Sequence, residues 1–145
     1  MSVKTVLFPT DFSTASDAAL PHASILAQGS NARMVILHVE EPPVAYAAGQ
    51  FYYGVSEPDK QVLEKMLQAV VPADSAIAHE HRLVVGDPSE EVIRVAKEEH
   101  ADMIVMGTHG RSGVARLLMG SVAEYVLRHA PCPVMVIRQP EAAAV

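Results

Sequence analysis

The 145-residue chain contains no tryptophan, a single cysteine and no apolar stretch approaching twenty residues. Cys132 alone cannot close an intrachain bridge, which excludes the disulfide-stapled secreted scaffolds and makes a reducing cytoplasm the expected home. The lack of a long apolar run argues against a membrane-spanning helix. The opening MSVKTVLFPT is also too short in its apolar part for a signal segment and is interrupted by Pro9, so no membrane partner is expected. Basic residues are scarce: 11 Lys and Arg stand against 17 Asp and Glu, a formal charge of −6, which opposes a broad electrostatic footprint on nucleic acid. An anionic ligand must therefore be met by a local pocket. What is present is a core: 50% of the residues are hydrophobic and only 19% charged, which excludes intrinsic disorder. The length suits one domain, expected over residues 1–138, with a short alanine-rich tail over 139–145 that frays.

Residues 3–8 (VKTVLF) form a β-branched and apolar run closed by Pro9, which predicts a first strand. Thr14 and Asp17 have capping-box spacing. Ala15, Ala19, Ala23 and Leu26 share a helical face before Gly29 supplies a stop, with Pro21 expected to kink the helix or delay its start. Residues 34–39 (MVILHV) are nearly continuous in apolar side chains, as a strand covered on both faces should be. Residues 40–57 lack periodicity and carry Tyr46, Phe51, Tyr52 and Tyr53; they predict a long loop that serves either as a lid or contact surface, or as a segment pinned to the body by its aromatics. Ser56 and Asp59 repeat the capping spacing, and Val62, Met66 and Ala69 or Val70 predict the inner face of a second helix ending at Pro72. Residues 77–85, with Glu80 and Arg82 on one face, suit an edge strand ended by Gly86. Asp87, Pro88 and Glu90 then open a third helix running to about His100. A short strand at 103–106, a helix at 121–129 and a last strand at 134–137 complete the series. Strands alternating with helices imply right-handed parallel crossovers and hence a doubly wound, five-stranded α/β sheet.

In such sheets ligands sit beyond the carboxyl ends of the strands, where strand order reverses. Two loops qualify: Pro9, Thr10 and Asp11 after the first strand, and the run from Gly107 through Gly110 and Gly113 to Gly120 and Ser121 after the fourth. Glycines at intervals of three allow backbone conformations that turn N–H groups toward an anion, His109, Arg111 and Arg116 add donors, and the helix start at Gly120 and Ser121 favours a phosphate. Each piece also has a plain structural explanation: a glycine-rich turn, a Ser121 with Glu124 capping box, solvated arginines. Neither the Walker pattern GxxxxGKS/T nor a GxGxxG after the first strand occurs, so a nucleotide site here is of another kind.

Gly107 and Gly110, followed by nine residues and then Gly120 and Ser121, resemble the G-2x-G-9x-G-S/T signature of the ATP-binding branch of the universal stress protein family. The likeness runs along the chain: VLFPTDFS at residues 6–13, LHV at 37–39, MGTHGRSG at 106–113 and PCPV at 131–134. The resemblance implies a single Rossmann-like, adenine nucleotide alpha hydrolase-like domain with helices on both faces of a sheet ordered 3-2-1-4-5. It implies that Pro9, Thr10 and Asp11 border the adenosine and that Val39 closes on the base. Met106 and Gly107 would lie along the nucleotide, and His109, Gly110, Arg111, Gly113, Gly120, Ser121 and Val122 would surround the phosphates, with Mg2+ or Mn2+ bridging phosphate oxygens. It also implies a homodimer through the last strand, Val134–Ile137, rather than an edge covered by the tail, and a nucleotide-dependent stress-response sensor or regulatory module with at most slow ATP hydrolysis. The alternative is a dimeric interaction scaffold that uses no nucleotide; a true ATPase or nucleotidyl-transfer enzyme would need a base and co-substrate that the residues do not display.

Other constellations are weaker. His79 and His81 share a strand face but have no partner pair at ligand spacing, so no protein-held metal is expected. Cys132 between two prolines has no adjacent base, which predicts a buried or idle thiol. Asp11, His109 and Ser121 lack the GxSxG elbow of a hydrolase triad, and no catalytic residue is assigned.

Overall fold

The structure, a computed structural model, describes residues 2–42, 60–108 and 119–139. In chain order the elements are β1 (Thr5–Pro9), α1 (Thr14–Ser30), β2 (Arg33–Glu40), α2 (Lys60–Gln68), β3 (His79–Val85), α3 (Pro88–Glu98), β4 (Met103–Gly107), α4 (Ser121–His129) and β5 (Val134–Ile137). The strands form one parallel sheet in the expected order, β3-β2-β1-β4-β5. Order reverses between β1 and β4, which pair with Val6 opposite Met103 and Leu7 opposite Ile104.

Alternation within the strands divides the core in two. Leu7, Val35, Leu37 and Ile104 pack with Val92, Val95 and Val126 of α3 and α4. Val6, Phe8, Met34, Ile36 and Val105 pack against Ala19, Ala23 and Ala27 of α1 and Leu67 of α2. Both faces are thus covered, which is why the central strands read as unbroken apolar runs. Among the described residues no helix is long and apolar enough to cross a membrane.

The ends of α1 differ from the expectation by one or two residues at each side. Its cap is Ser13, whose extended backbone and Oγ, accepting from the Ser16 N–H at 3.2 Å, satisfy a first-turn donor; Thr14 is already helical. Gly29 does not stop the helix, which runs to Ser30 and closes on Asn31 in the left-handed region (φ 55°). The Asn31 N–H donates to carbonyls of the last turn, and asparagine tolerates this conformation. Nor does Pro21 delay the start, since it lies inside one helix beginning at Thr14. In α2 the inner face is Leu63 and Leu67, and Val62 and Met66 are 49% and 39% exposed. Both pairs are four residues apart, so periodicity admits either, and the leucine pair takes the interior.

Asp87 caps α3 by accepting from the Glu90 N–H at 3.0 Å, with Pro88 at the first position as expected. The helix ends at Glu98, and His100 turns the chain with φ 52°. The charges expected at the edge strand are paired: Glu80 with Arg33, and Arg82 with both Glu98 and Glu99 at 3.0 Å. The capping pair Ser56 and Asp59, the aromatics Tyr46, Phe51, Tyr52 and Tyr53, Arg116, and the tail from 140 lie outside the described residues.

Candidate functional site

The reversal of strand order brings the carboxyl ends of β1 and β4 side by side. Beyond β1 the chain does not leave the sheet at once. The Thr10 N–H donates to the Leu37 carbonyl at 2.8 Å, extending the β1–β2 ladder by one residue. The Thr10 carbonyl accepts from Nδ1 of His38 at 2.8 Å, and both residues are buried. A carbonyl oxygen only accepts, so this contact fixes the imidazole with its proton on Nδ1.

The turn into α1 is held by side chains. Thr10 Oγ1 accepts from the Phe12 N–H at 3.0 Å, and Asp11 Oδ1 accepts from the Ser13 N–H at 2.9 Å and from Ser16 Oγ at 2.8 Å. Phe12 adopts φ 65°, a left-handed conformation that costs a residue with a β-carbon about 1–2 kcal/mol. Its ring lies on the His38 ring with centroids 4.3 Å apart and planes at 34°. Strain of this size persists only where the surroundings over-determine it, and here four side chains do so.

On the other wall, β4 ends at Gly107. The Thr108 N–H donates to the Ile137 carbonyl at 3.2 Å, and the Gly120 N–H donates to the Thr108 carbonyl at 2.6 Å. The two ends of the signature segment are therefore tied together, and α4 starts beside the end of β4. Gly120 is the N-cap of α4 with φ −62° and ψ 153°, and no side chain caps the helix, contrary to a Ser121 with Glu124 capping box. First-turn N–H groups and the helix dipole at such a terminus suit an anion.

The structure places the expected residues as follows. Pro9 ends β1, and Thr10 and Asp11 follow it. Val39 lies near the end of β2, partly buried against the core. Met106 and Gly107 close β4, with the Met106 side chain buried. Gly120, Ser121 and Val122 form the cap and first turn of α4. His109, Gly110, Arg111 and Gly113 lie outside the described residues. Sequence reasoning did not single out His38, Phe12, Ser13 or Ser16, which shape the β1 side. The available signal was a histidine inside an otherwise apolar run, since an imidazole is buried only with a partner.

The groups with shifted acidity lie elsewhere. Burial pushes the Glu99 carboxyl up, but the guanidinium of Arg33 and then that of Arg82 outweigh it and hold it below the usual range. The Glu98 carboxyl is lowered by its bond from Arg82. Asp102, just before β4, is lowered because it accepts the Lys4 and Thr5 N–H groups at 2.9 and 3.1 Å. Burial raises the Cys132 thiol, and Asp102 raises it further. The His79 and His81 rings meet edge to face at 5.5 Å, and each has a backbone carbonyl within hydrogen-bond distance, Ile77 for one and Val70 for the other.

The profile of the universal stress protein family matches residues 2–138. A universal stress protein of Methanocaldococcus jannaschii, MJ0531, is 33% identical over 142 residues, 95% of this chain and 84% of its own length. The solved structure of the MJ0577 protein of the same organism superposes with a TM-score of 0.78 at 26% identity, covering 98% of this chain and 100% of that one. A solved universal stress protein in complex with cAMP gives a TM-score of 0.67 at 28% identity, covering 97% of this chain and 100% of that one.

Proposed function

The chain belongs to the universal stress protein family, and from that premise we propose that it binds ATP between the ends of β1 and β4 and acts in the cytoplasm as a nucleotide-dependent stress-response sensor or regulatory module. The observation that carries this reading is the hydrogen bond from Gly120 to Thr108, which sets the uncapped start of α4 against the end of β4 at the sheet's switch point. The signature G-2x-G-9x-G-S spans this closed stem, from Gly107 to Ser121. The cAMP complex of a relative supports the adenine nucleotide class.

In this reading Pro9, Thr10 and Asp11 border the adenosine and Val39 closes on the base. Met106 and Gly107 run along the nucleotide, while Gly120, Ser121 and Val122, with His109, Gly110, Arg111 and Gly113, surround the phosphates. Mg2+ or Mn2+ bound with the nucleotide would offset part of the phosphate charge. Helix-terminal N–H groups at Gly120 and Ser121, with the glycines and basic residues of the signature, would hold a polyphosphate, and the overall charge of −6 makes such a local donor set necessary. Asp11 Oδ1 is occupied by Ser13 and Ser16, so it is an orienting group rather than a poised base, which favours slow turnover at most.

A second reading, a dimeric scaffold that uses no nucleotide, draws on the edge position of β5, where Met135 is 37% exposed. In both readings Val134–Ile137 pairs with a second copy. The experiment that decides is mass spectrometry of small molecules released from denatured, freshly purified protein, followed by calorimetric titration of ATP with magnesium into the emptied protein. Retained nucleotide or micromolar binding supports the sensor; no nucleotide and no binding heat at several temperatures supports the scaffold.

A further inference from the structure

We propose that His38 is a positioning residue for the adenosine side of the site, holding the turn from Thr10 to Ser13 in the one conformation that a ligand at the β1 end meets; the inference rests on the nucleotide reading above. His38 is 6% exposed on β2, one position before Val39. Its ring contacts the turn at both ends. Nδ1 donates to the Thr10 carbonyl at 2.8 Å, and the ring face lies against Phe12 at 4.3 Å. The main chain of Leu37 holds the Thr10 N–H, so consecutive residues of β2 fix both peptide groups of Thr10. Phe12 stands in a left-handed conformation, and the imidazole that bonds the residue two before it also covers its ring. Asp11 lies between these two anchors with Oδ1 turned onto Ser13 and Ser16. An apolar residue at 38 would fill the volume but leave the Thr10 carbonyl without this donor. An asparagine, whose amide carbon is bonded directly to the β-carbon, presents an N–H where Nδ1 stands.

Three measurements on the full chain test this. In the wild-type protein the 15N shifts of His38 are expected to show a proton on Nδ1; an Nδ1 without its proton overturns the proposal. Without nucleotide, His38→Leu is expected to speed amide exchange of Phe12 and Ser13 by about 10-fold or more while amides of α3 and β4 keep their rates, and His38→Asn to restore protection. Unchanged exchange at the turn, or a loss spread evenly over the core, overturns it. In titrations with ATP and magnesium, His38→Leu is expected to bind about 10-fold more weakly and His38→Asn within about threefold of wild type. Equal weakening by both variants overturns it. Failure of the wild-type protein to bind any adenine nucleotide counts against the proposed function instead, and the exchange and tautomer measurements still decide whether His38 sets the turn.

Discussion

Gly107 and Ala15 lie so close that a β-carbon on the glycine would stand 2.7 Å from the Ala15 carbonyl oxygen. The first glycine of the signature is therefore required by the seating of α1 on β4, whatever ligand lies beyond it. Gly107→Ala is expected to lower stability by about 1–3 kcal/mol, since the obstacle is backbone that cannot swing away. Urea unfolding checks this, and a loss below about 0.5 kcal/mol would show that α1 shifts freely. Weak nucleotide binding by this variant carries no information about the phosphates unless stability is measured beside it.

Gly120 permits a cleaner separation. Its extended backbone at the head of α4 suits an aspartate cap, and Gly120→Asp is expected to raise stability by a few tenths of a kcal/mol. The same carboxylate would occupy the donors proposed for phosphate and repel it, so ATP affinity is expected to fall about 10-fold or more. Thermal unfolding and calorimetry on the one variant read the two signs. Unchanged affinity would sink the phosphate assignment at α4.

Asp102 joins the start of β1 to the start of β4 through two backbone N–H groups, which lower its pKa. A carboxyl lowered in the folded state contributes stability that is fully present above its unfolded value, near 3.9, and is lost as pH falls through the folded value. Asp102→Asn is therefore expected to lower stability at neutral pH and to flatten the fall in stability as pH drops below about 4. Acid titration of unfolding free energy checks it; an unaltered slope would assign the acid limb to Glu98 and Glu99. Because Asp102 also raises the Cys132 thiol, the asparagine variant is expected to react faster with iodoacetamide near neutral pH.

Pro21 inside α1 removes the hydrogen bond to the Asp17 carbonyl. Its cost of about 3 kcal/mol exceeds the 1 kcal/mol or so by which proline restricts the unfolded chain. Pro21→Ala is expected to gain about 1–2 kcal/mol in urea unfolding. No gain would mean that the turn around Pro21 is already satisfied in another way.

The sheet was legible because its central strands, buried on both faces, announce themselves as MVILHV and MIVM, and because Asp87 and Pro88 mark a helix start by local chemistry alone. The inner face of α2 was not, since Val62 with Met66 and Leu63 with Leu67 satisfy the same period and only the packing of Leu67 with Ile77 and Met34 chooses between them. The stop of α1 falls at Asn31 instead of Gly29 because asparagine, like glycine, tolerates the left-handed cap, so local chemistry admits either position. At the site, the glycine spacing marked the β4 side; Ser13 caps α1 by a local contact with Ser16, whereas His38 reaches the Thr10 carbonyl only once β1 and β2 are side by side.

The two margins of the sheet are unequal. Along β3, Glu80 and Arg82 are engaged with Arg33, Glu98 and Glu99, and charged side chains on an edge strand discourage a further strand. β5, of four residues, bears no charge. Among the described residues the uncharged margin is β5; were two copies to pair there, as proposed, each would use up the other's edge and the pairing would end at two instead of propagating into a filament.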